Sequence, residues 1–342
     1  MFRKKIKLIL IIGLSLISSI NLAQGVAKTG TTAAKFLSIG IGPRANAMGG
    51  AYSAVANDAT SLYWNPSGIA SVNEYQASFT YTKLFADINL NFFGLVVPLG
   101  EAGSIGVSIT ALDYGEMEVT TEFAPDGTGE IFSAGSYAFG LSYARNITDD
   151  FSIGATVKYI REDIFNSSAS GFAFDIGTKF KTPFFGVVLA SSISNYGTKM
   201  QMEGDDLLVR YDSDPQSTGN NETVDAYLGT ESFDLPLRLQ IGISKDFYLS
   251  EDYRFTLAID ATHPNDNNQW VNVGGEIALF DEMVFLRGGY KALFLDENRE
   301  GLTLGFGLKY SGLEFFRFSV DYAYQQFEYL ENVHSFGITL GF

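Results

Sequence analysis

The chain closes on HSFGITLGF, His334 to Phe342, with Phe336, Ile338, Leu340 and Phe342 on one parity and Ser335, Gly337, Thr339 and Gly341 on the other. Successive side chains of a strand point to opposite faces, so this stretch is a strand with one apolar face and one small or polar face. A half-buried strand of a soluble sandwich alternates in the same way, which leaves two folds open. What separates them is whether the pattern recurs, at what length, and where the charges fall.

The pattern recurs. In IGVSITA, Ile105, Val107, Ile109 and Ala111 alternate with Gly106, Ser108 and Thr110; in YAFGLSYA, Tyr137, Phe139, Leu141 and Tyr143 alternate with Ala138, Gly140, Ser142 and Ala144. Similar ladders run through 151–159, 172–180, 235–243, 255–261, 271–279, 302–310 and 316–324, with less regular ones near 75–85, 88–98, 184–194 and 283–291. Together they predict about 14 strands of roughly ten residues, the length a tilted strand needs to cross a bilayer. The opposite parity carries the charges Lys158, Asp175, Lys179, Arg238, Arg254, Asp260, Glu276, Arg287, Lys291, Lys309, Arg317 and Asp321. An unpaired charge is costly in an apolar core, so that face is wet, as the outside of a sandwich or as the lumen of a barrel. One Phe- and Leu-rich face repeated over so many long strands exceeds what a sandwich buries and favours an all-β transmembrane antiparallel barrel. The lumenal charges pair with one another in the simplest reading; the basic ones otherwise suit an anionic headgroup or carboxylate.

Connection lengths agree with a barrel. Counting back from Phe342, the connections near 99–102, 146–150, 181–184, 248–252, 280–283 and 311–314 are short, and those near 113–131, 163–169, 195–231, 262–269, 292–300 and 325–333 are mostly longer. Outer-membrane barrels have short periplasmic turns and longer external loops. The acidic stretch 195–231, with Glu203, Asp205, Asp206, Asp212, Asp214, Glu222, Asp225 and Glu231, therefore falls outside.

Composition narrows the function. A net charge of −16 argues against nucleic-acid binding, and the absence of cysteine excludes disulfides, thiolate metal sites and cysteine nucleophiles. With only two histidines, His263 and His334, no histidine-based catalytic centre or multi-histidine metal site is expected, so no enzyme and no cofactor is predicted. The acidic loop residues Asp212, Asp214 and Glu222 lack the ordered spacing of a calcium loop. HPNDNN, with His263, Pro264 and Asp266, reads as a turn, or as an ion-binding or partner-contacting loop. At the N-terminus, Arg3, Lys4, Lys5 and Lys7 precede LILIIGLSLISSI and the small residues of NLAQG, which predicts a signal peptide over 1–25, a membrane anchor being the alternative.

Residues 36–70 do not alternate. They are rich in Ala and Gly, with a helix-compatible stretch from Ala45 to Ala56, a stop at Asn57-Asp58 and a turn at Asn65-Pro66. Either this is a periplasmic linker or, as we prefer, 26–72 forms a helical plug in the lumen of a barrel spanning 73–342. The pairs Gly274-Gly275 and Gly288-Gly289 sit within strands, where they kink the wall or admit the plug.

GPRANAMGGAYSAVANDATSLYWNPSGIA, together with DATHPNDNNQWVNVGGEIAL and LRGGYKALF, resembles the PorV/PorQ family, which is related in fold to FadL-type transporters of hydrophobic compounds. The resemblance implies a 14-stranded barrel with an N-terminal hatch formed around Arg44, Gly49, Gly50, Asn65 and Pro66. It also implies an outer-membrane component of type IX secretion that meets a translocon and cargo carrying C-terminal signal domains. Two functions therefore remain: a protein-interaction component working through the loops 195–231 and 262–269, and a FadL-like transporter of an apolar molecule.

Overall fold

The computed structural model describes residues 29–212, 223–250, 252–295, 298–313 and 316–342. The predicted signal peptide, Asp214 and Glu222 lie outside them. Fourteen strands build the wall: β1 (Gln76–Lys83), β2 (Asn89–Pro98), β3 (Ser104–Glu118), β4 (Ile131–Thr148), β5 (Phe151–Ile164), β6 (Ser167–Lys181), β7 (Val188–Gly197), β8 (Arg238–Tyr248), β9 (Arg254–Pro264), β10 (Trp270–Leu279), β11 (Val284–Leu293), β12 (Glu300–Leu313), β13 (Phe316–Phe327) and β14 (Val333–Gly341). Each pairs antiparallel with its sequence neighbours, and β14 returns to β1, so the ring is closed. Closure satisfies every wall strand on both edges, the condition for β structure in a bilayer.

The stretch His334 to Phe342 forms the closing seam. It runs in register from Lys83 opposite His334 to Gln76 opposite Gly341. Two further bonds, Tyr75 N–H to Phe342 O at 3.0 Å and Phe342 N–H to Tyr75 O at 2.9 Å, extend it, and the two rings stack at 5.7 Å. The terminal phenylalanine thus finishes the seam.

The apolar parity faces outward. Phe139, Leu141, Val157, Phe172, Phe174, Ile176, Ile241 and Ile338 are exposed along the middle of their strands, a surface that water would penalise and lipid accepts. The other parity is buried inside.

The long-loop end holds connections 119–130, 198–237, 265–269, 294–299 and 328–332. Three expectations are corrected. The connection expected as longer near 163–169 is the two-residue turn Phe165-Asn166, because β5 and β6 stay paired to Ile164 and Ser167. His263 and Pro264 belong to β9 rather than to a loop. The expected helix from Ala45 to Ala56 is only α1 (Pro43–Ala47), because Gly49 and Gly50 turn the chain at φ +65° and +76°, a region glycine enters without strain. A second short helix, α2 (Ser61–Trp64), and 3-10 turns at Lys35–Ser38 and Pro66–Ser71 complete this segment.

Candidate functional site: a filled lumen and an external cup

Most of residues 34–72 are buried against the inner face of the barrel wall, and what lets them fit is glycine on the wall. A Cβ on Gly274 would stand 2.2 Å from Met48 O, and one on Gly289 2.4 Å from Gly49 N. These two glycines face each other across β10 and β11. On Gly154 and Gly177, partners across β5 and β6, a Cβ would fall 2.5 Å from Pro66 C and 2.0 Å from Asn65 Oδ1, on Gly242 2.1 Å from Ser53 Oγ and on Gly305 2.5 Å from Ala47 Cβ. Wall and segment thus approach at backbone distance on several sides of the lumen, a separation at which even one methyl group has no room.

Hydrogen bonds fix the segment's orientation. The Asp260 carboxylate accepts the backbone N–H groups of Tyr52 at 3.1 Å and Ser53 at 2.9 Å. Thr303 Oγ1 donates to Ala47 O at 2.9 Å. Asn65 donates through Nδ2 to Ser53 O and to Thr178 O of the wall, both at 3.1 Å, and accepts Ser67 N–H and Oγ–H through Oδ1. Asn65 therefore caps the turn that Pro66 begins and ties it to β6. Buried polar atoms are costly unless paired, so these bonds specify position as well as adding stability.

Charge supplies a further tie. Glu276, fully buried on β10, receives three guanidiniums: Arg44 from α1 at 2.9 Å, Arg287 at 2.7 Å and Arg254 at 3.2 Å. Arg44 engages it through both Nε and Nη2, the bidentate geometry that lysine cannot reproduce. Each arginine has a second carboxylate: Asp58 at 3.2 Å for Arg44, Glu282 at 2.9 Å for Arg254 and Asp321 at 2.6 Å for Arg287. Asp58 also accepts from Tyr52 Oη at 2.6 Å and from Thr60. Desolvation pushes the Asp58 carboxyl upward, but the Arg44 charge and these hydrogen bonds outweigh it and hold the group below the ordinary aspartate value.

The remaining residues singled out in the sequence also project inward. Lys158 pairs with Asp175 at 2.6 Å beside Asn195, whose positive φ marks a bulge in β7. Arg238 lies over the rings of Tyr63 and Trp64 at 5.2 and 5.6 Å. Lys179 donates to Ala56 O at 2.9 Å, Lys309 stands 3.7 Å from Glu282, and Arg317 pairs with Glu74 at 3.0 Å. Lys291 pairs with Glu300 at 2.7 Å. A polar cavity of about 570 Å³ opens at the short-turn end, bordered by Arg44, Asp58, Lys179, Arg254, Arg317 and Asp321.

Of the three residues expected as loop contacts, only His263 is exposed, on the outer face of β9. Pro264 is buried, and Asp266, 1% exposed, accepts from Thr32 Oγ1 at 2.8 Å and pairs with Lys35. It is engaged by the chain's own N-terminal segment because that segment reaches the long-loop end, where Ala33 N–H also donates to Asp234 O at 3.0 Å.

At that end lies a second cavity, an apolar cup of about 680 Å³ between the tops of β2 to β5, walled by Ile88, Tyr114, Met117, Ile164 and Met202. Glu162 borders it, accepting Ala34 N–H at 3.0 Å and Ser136 Oγ–H at 3.3 Å. The sequence reading missed Glu162, although it continues the lumenal parity of Lys158 by two further steps along β5.

Comparison with known proteins fits this geometry. Residues 22–264 match the family model of the type IX secretion system protein PorV. Curated protein sequences give no match. Among solved structures, the chain is similar to the Pseudomonas putida toluene transporter TodX (TM-score 0.57, 13% identity), the Ralstonia pickettii toluene transporter TbuX (0.55, 10%) and a Pseudomonas aeruginosa FadL homologue (0.54, 12%). Each alignment covers 88% of this chain and 97% of the other. At such identities the structural likeness speaks for the barrel fold alone. The family match spans most of the sequence and agrees with the closed barrel, and the chain belongs to the PorV family of type IX secretion proteins, in the outer membrane.

Proposed function

We propose that this protein serves type IX secretion as a plugged outer-membrane barrel that holds a secreted protein or a translocon subunit at its long-loop end. The observation that carries this reading is the filled lumen. A segment packed at backbone distance against wall glycines and tied by Arg44 to Glu276 suits a platform better than a conduit. On this reading 26–72 is a hatch in which Arg44, Gly49, Gly50, Asn65 and Pro66 set the fit, and the barrel over 73–342 displays the loops. Cleavage after a signal peptide over 1–25 delivers the chain to the outer membrane of a Gram-negative cell. The partners would be a translocon and cargo with C-terminal signal domains, and the loop 195–231 would form much of the contact.

The test is a mild-detergent pull-down of the tagged protein from native outer membranes, with mass spectrometry of co-purified proteins and lipids. Recovery of a large barrel or of secreted proteins sharing a C-terminal domain supports the reading. Recovery of an apolar small molecule alone replaces it with transport. That second reading draws on one observation, the apolar external cup, in a fold shared with hydrocarbon transporters.

A further inference from the structure

The external cup combines two properties that restrict what can occupy it. Its wall is apolar and adaptable, with Ile88, Tyr114, Met117, Ile164 and two flexible thioethers in Met117 and Met202. Its charge is of one sign: Asp87, Glu116, Glu162 and Asp163 line it, and among the described residues no lysine or arginine does. Two of these carboxylates pair with cations outside the cup, Asp163 with Arg161 at 2.7 Å and Asp87 with Lys83 at 3.6 Å. The other two, Glu116 and Glu162, have no cation within ion-pair distance among the described residues. Glu162 is half-buried and its two oxygens accept only from Ala34 N–H and Ser136 Oγ–H, so its negative charge is uncompensated beside apolar surface.

We propose that the cup receives a basic side chain flanked by apolar ones, on a segment of a partner protein arriving from outside the cell. This rests on the proposed function and names the chemistry of its partner. An anionic amphiphile such as a fatty acid would bring a third negative charge against Glu116 and Glu162 and is excluded by repulsion. A lysine or arginine completes both carboxylates with charge-assisted hydrogen bonds, while its neighbours fill the Met- and Ile-lined wall. Tyr114 adds a ring for the same cation. A protein segment is favoured over a free amphiphile because the cup has a floor. Ile88, Tyr114 and Met202 pack onto a buried layer that includes Ala34, Phe36, Leu112, Ala138 and Ile160, so an occupant docks there without a route onward.

The test uses the full protein in nanodiscs of zwitterionic lipid, with empty nanodiscs as the blank, and four probes: a fluorescent peptide alternating Lys and Leu, the same peptide with Glu for Lys, dodecylammonium and dodecanoate. The expected result is saturable binding of the Lys–Leu peptide and binding of the Glu–Leu peptide weaker by roughly tenfold or more. The variant E116Q should lose roughly threefold and E116Q/E162Q roughly tenfold in affinity for the Lys–Leu peptide. Because Glu116 is exposed and holds no structural contact, E116Q keeps the test valid should E162Q disturb the fold. Equal binding of the two peptides, binding of dodecylammonium or dodecanoate alone, indifference to E116Q and E116Q/E162Q, or no binding at all overturns the proposal. If partners still co-purify from native membranes with E116Q/E162Q, the cup proposal fails and the secretion reading stands. If the wild type recovers no protein partner, the secretion reading fails whatever the peptides do.

Discussion

The contact between wall and plug can be tested by adding two methyl groups. In Gly274→Ala the new Cβ would stand 2.2 Å from Met48 O, and in Gly289→Ala 2.4 Å from Gly49 N, where ordinary contact begins at 3.4 Å. The Met48-Gly49 backbone must retreat by about 1 Å in either case, and overpacking of this kind costs about 1–3 kcal/mol. Both methyls strike the same peptide, so their effects overlap rather than add, and the double variant should weaken plug seating by about 2–4 kcal/mol. That raises the unseated population by roughly 30- to 700-fold. The neighbouring glycines are matched controls. Gly275→Ala and Gly288→Ala point to the lipid side and meet nothing closer than 3.4 and 3.6 Å. In planar bilayers, wild type, G275A and G288A should be silent, and G274A/G289A should show opening steps together with faster proteolysis of residues 34–72. A double variant as silent and as protease-resistant as wild type would refute the claim that glycine on the wall is what admits the plug.

Three further outcomes follow from the same contacts. Glu276→Gln leaves three guanidiniums without their shared partner; since each keeps a second carboxylate, the loss should fall at the low end of the about 3–5 kcal/mol typical of a broken buried pair, measured as a lower urea midpoint for protease protection of the plug. Because the folded-state value of Asp58 is depressed, its contribution is present above the ordinary aspartate value of 3.8 and is lost as pH falls through the lower folded value. The urea midpoint for unseating the segment, followed by the fluorescence of the buried Trp64, should therefore fall on acidification below that range in wild type and be lower already at neutral pH in Asp58→Asn. The segment Thr29 to Thr31 is exposed at the long-loop end, and the sequence has no cysteine of its own. Gly30→Cys should thus react with an impermeant maleimide on intact cells while Glu101→Cys, in a short turn, should not; the reverse pattern would invert the orientation.

The wall was readable from sequence because each strand carries its own evidence. A period of two is a local property, and the parity of Lys158, Asp175, Arg238, Asp260, Glu276 and Arg287 assigns each to the lumen without knowledge of its neighbours. The segment 34–72, which we propose to be a plug, stands out in the sequence only as an exception to that period. Its internal shape was not readable, since alanine between 45 and 56 favours helix locally while the close approach of β10 and β11 demands the left-handed turn at Gly49 and Gly50. Asp266 was misread for a related reason. Its neighbours Pro264 and Asn265 are turn formers, and nothing near it in sequence announces Thr32 and Lys35, more than 230 positions earlier.

The same logic explains why the glycines looked ambiguous. A glycine in a strand is a missing side chain, and what it makes room for lies elsewhere in the chain. Gly274 and Gly275 are indistinguishable by composition, yet parity alone places one against Met48 and the other toward lipid. The function of such a residue is to have no substituent, so it becomes visible only when the opposing surface is known. A segment seated by absent methyls on several sides and tied by Arg44 to Glu276 resists small displacements, because movement toward those glycines meets backbone and movement away from β10 breaks the ion pair. A barrel closed in this way can hold its long-loop end at fixed geometry, which is what the proposed recognition at the external cup requires and what a permeation path would have to undo.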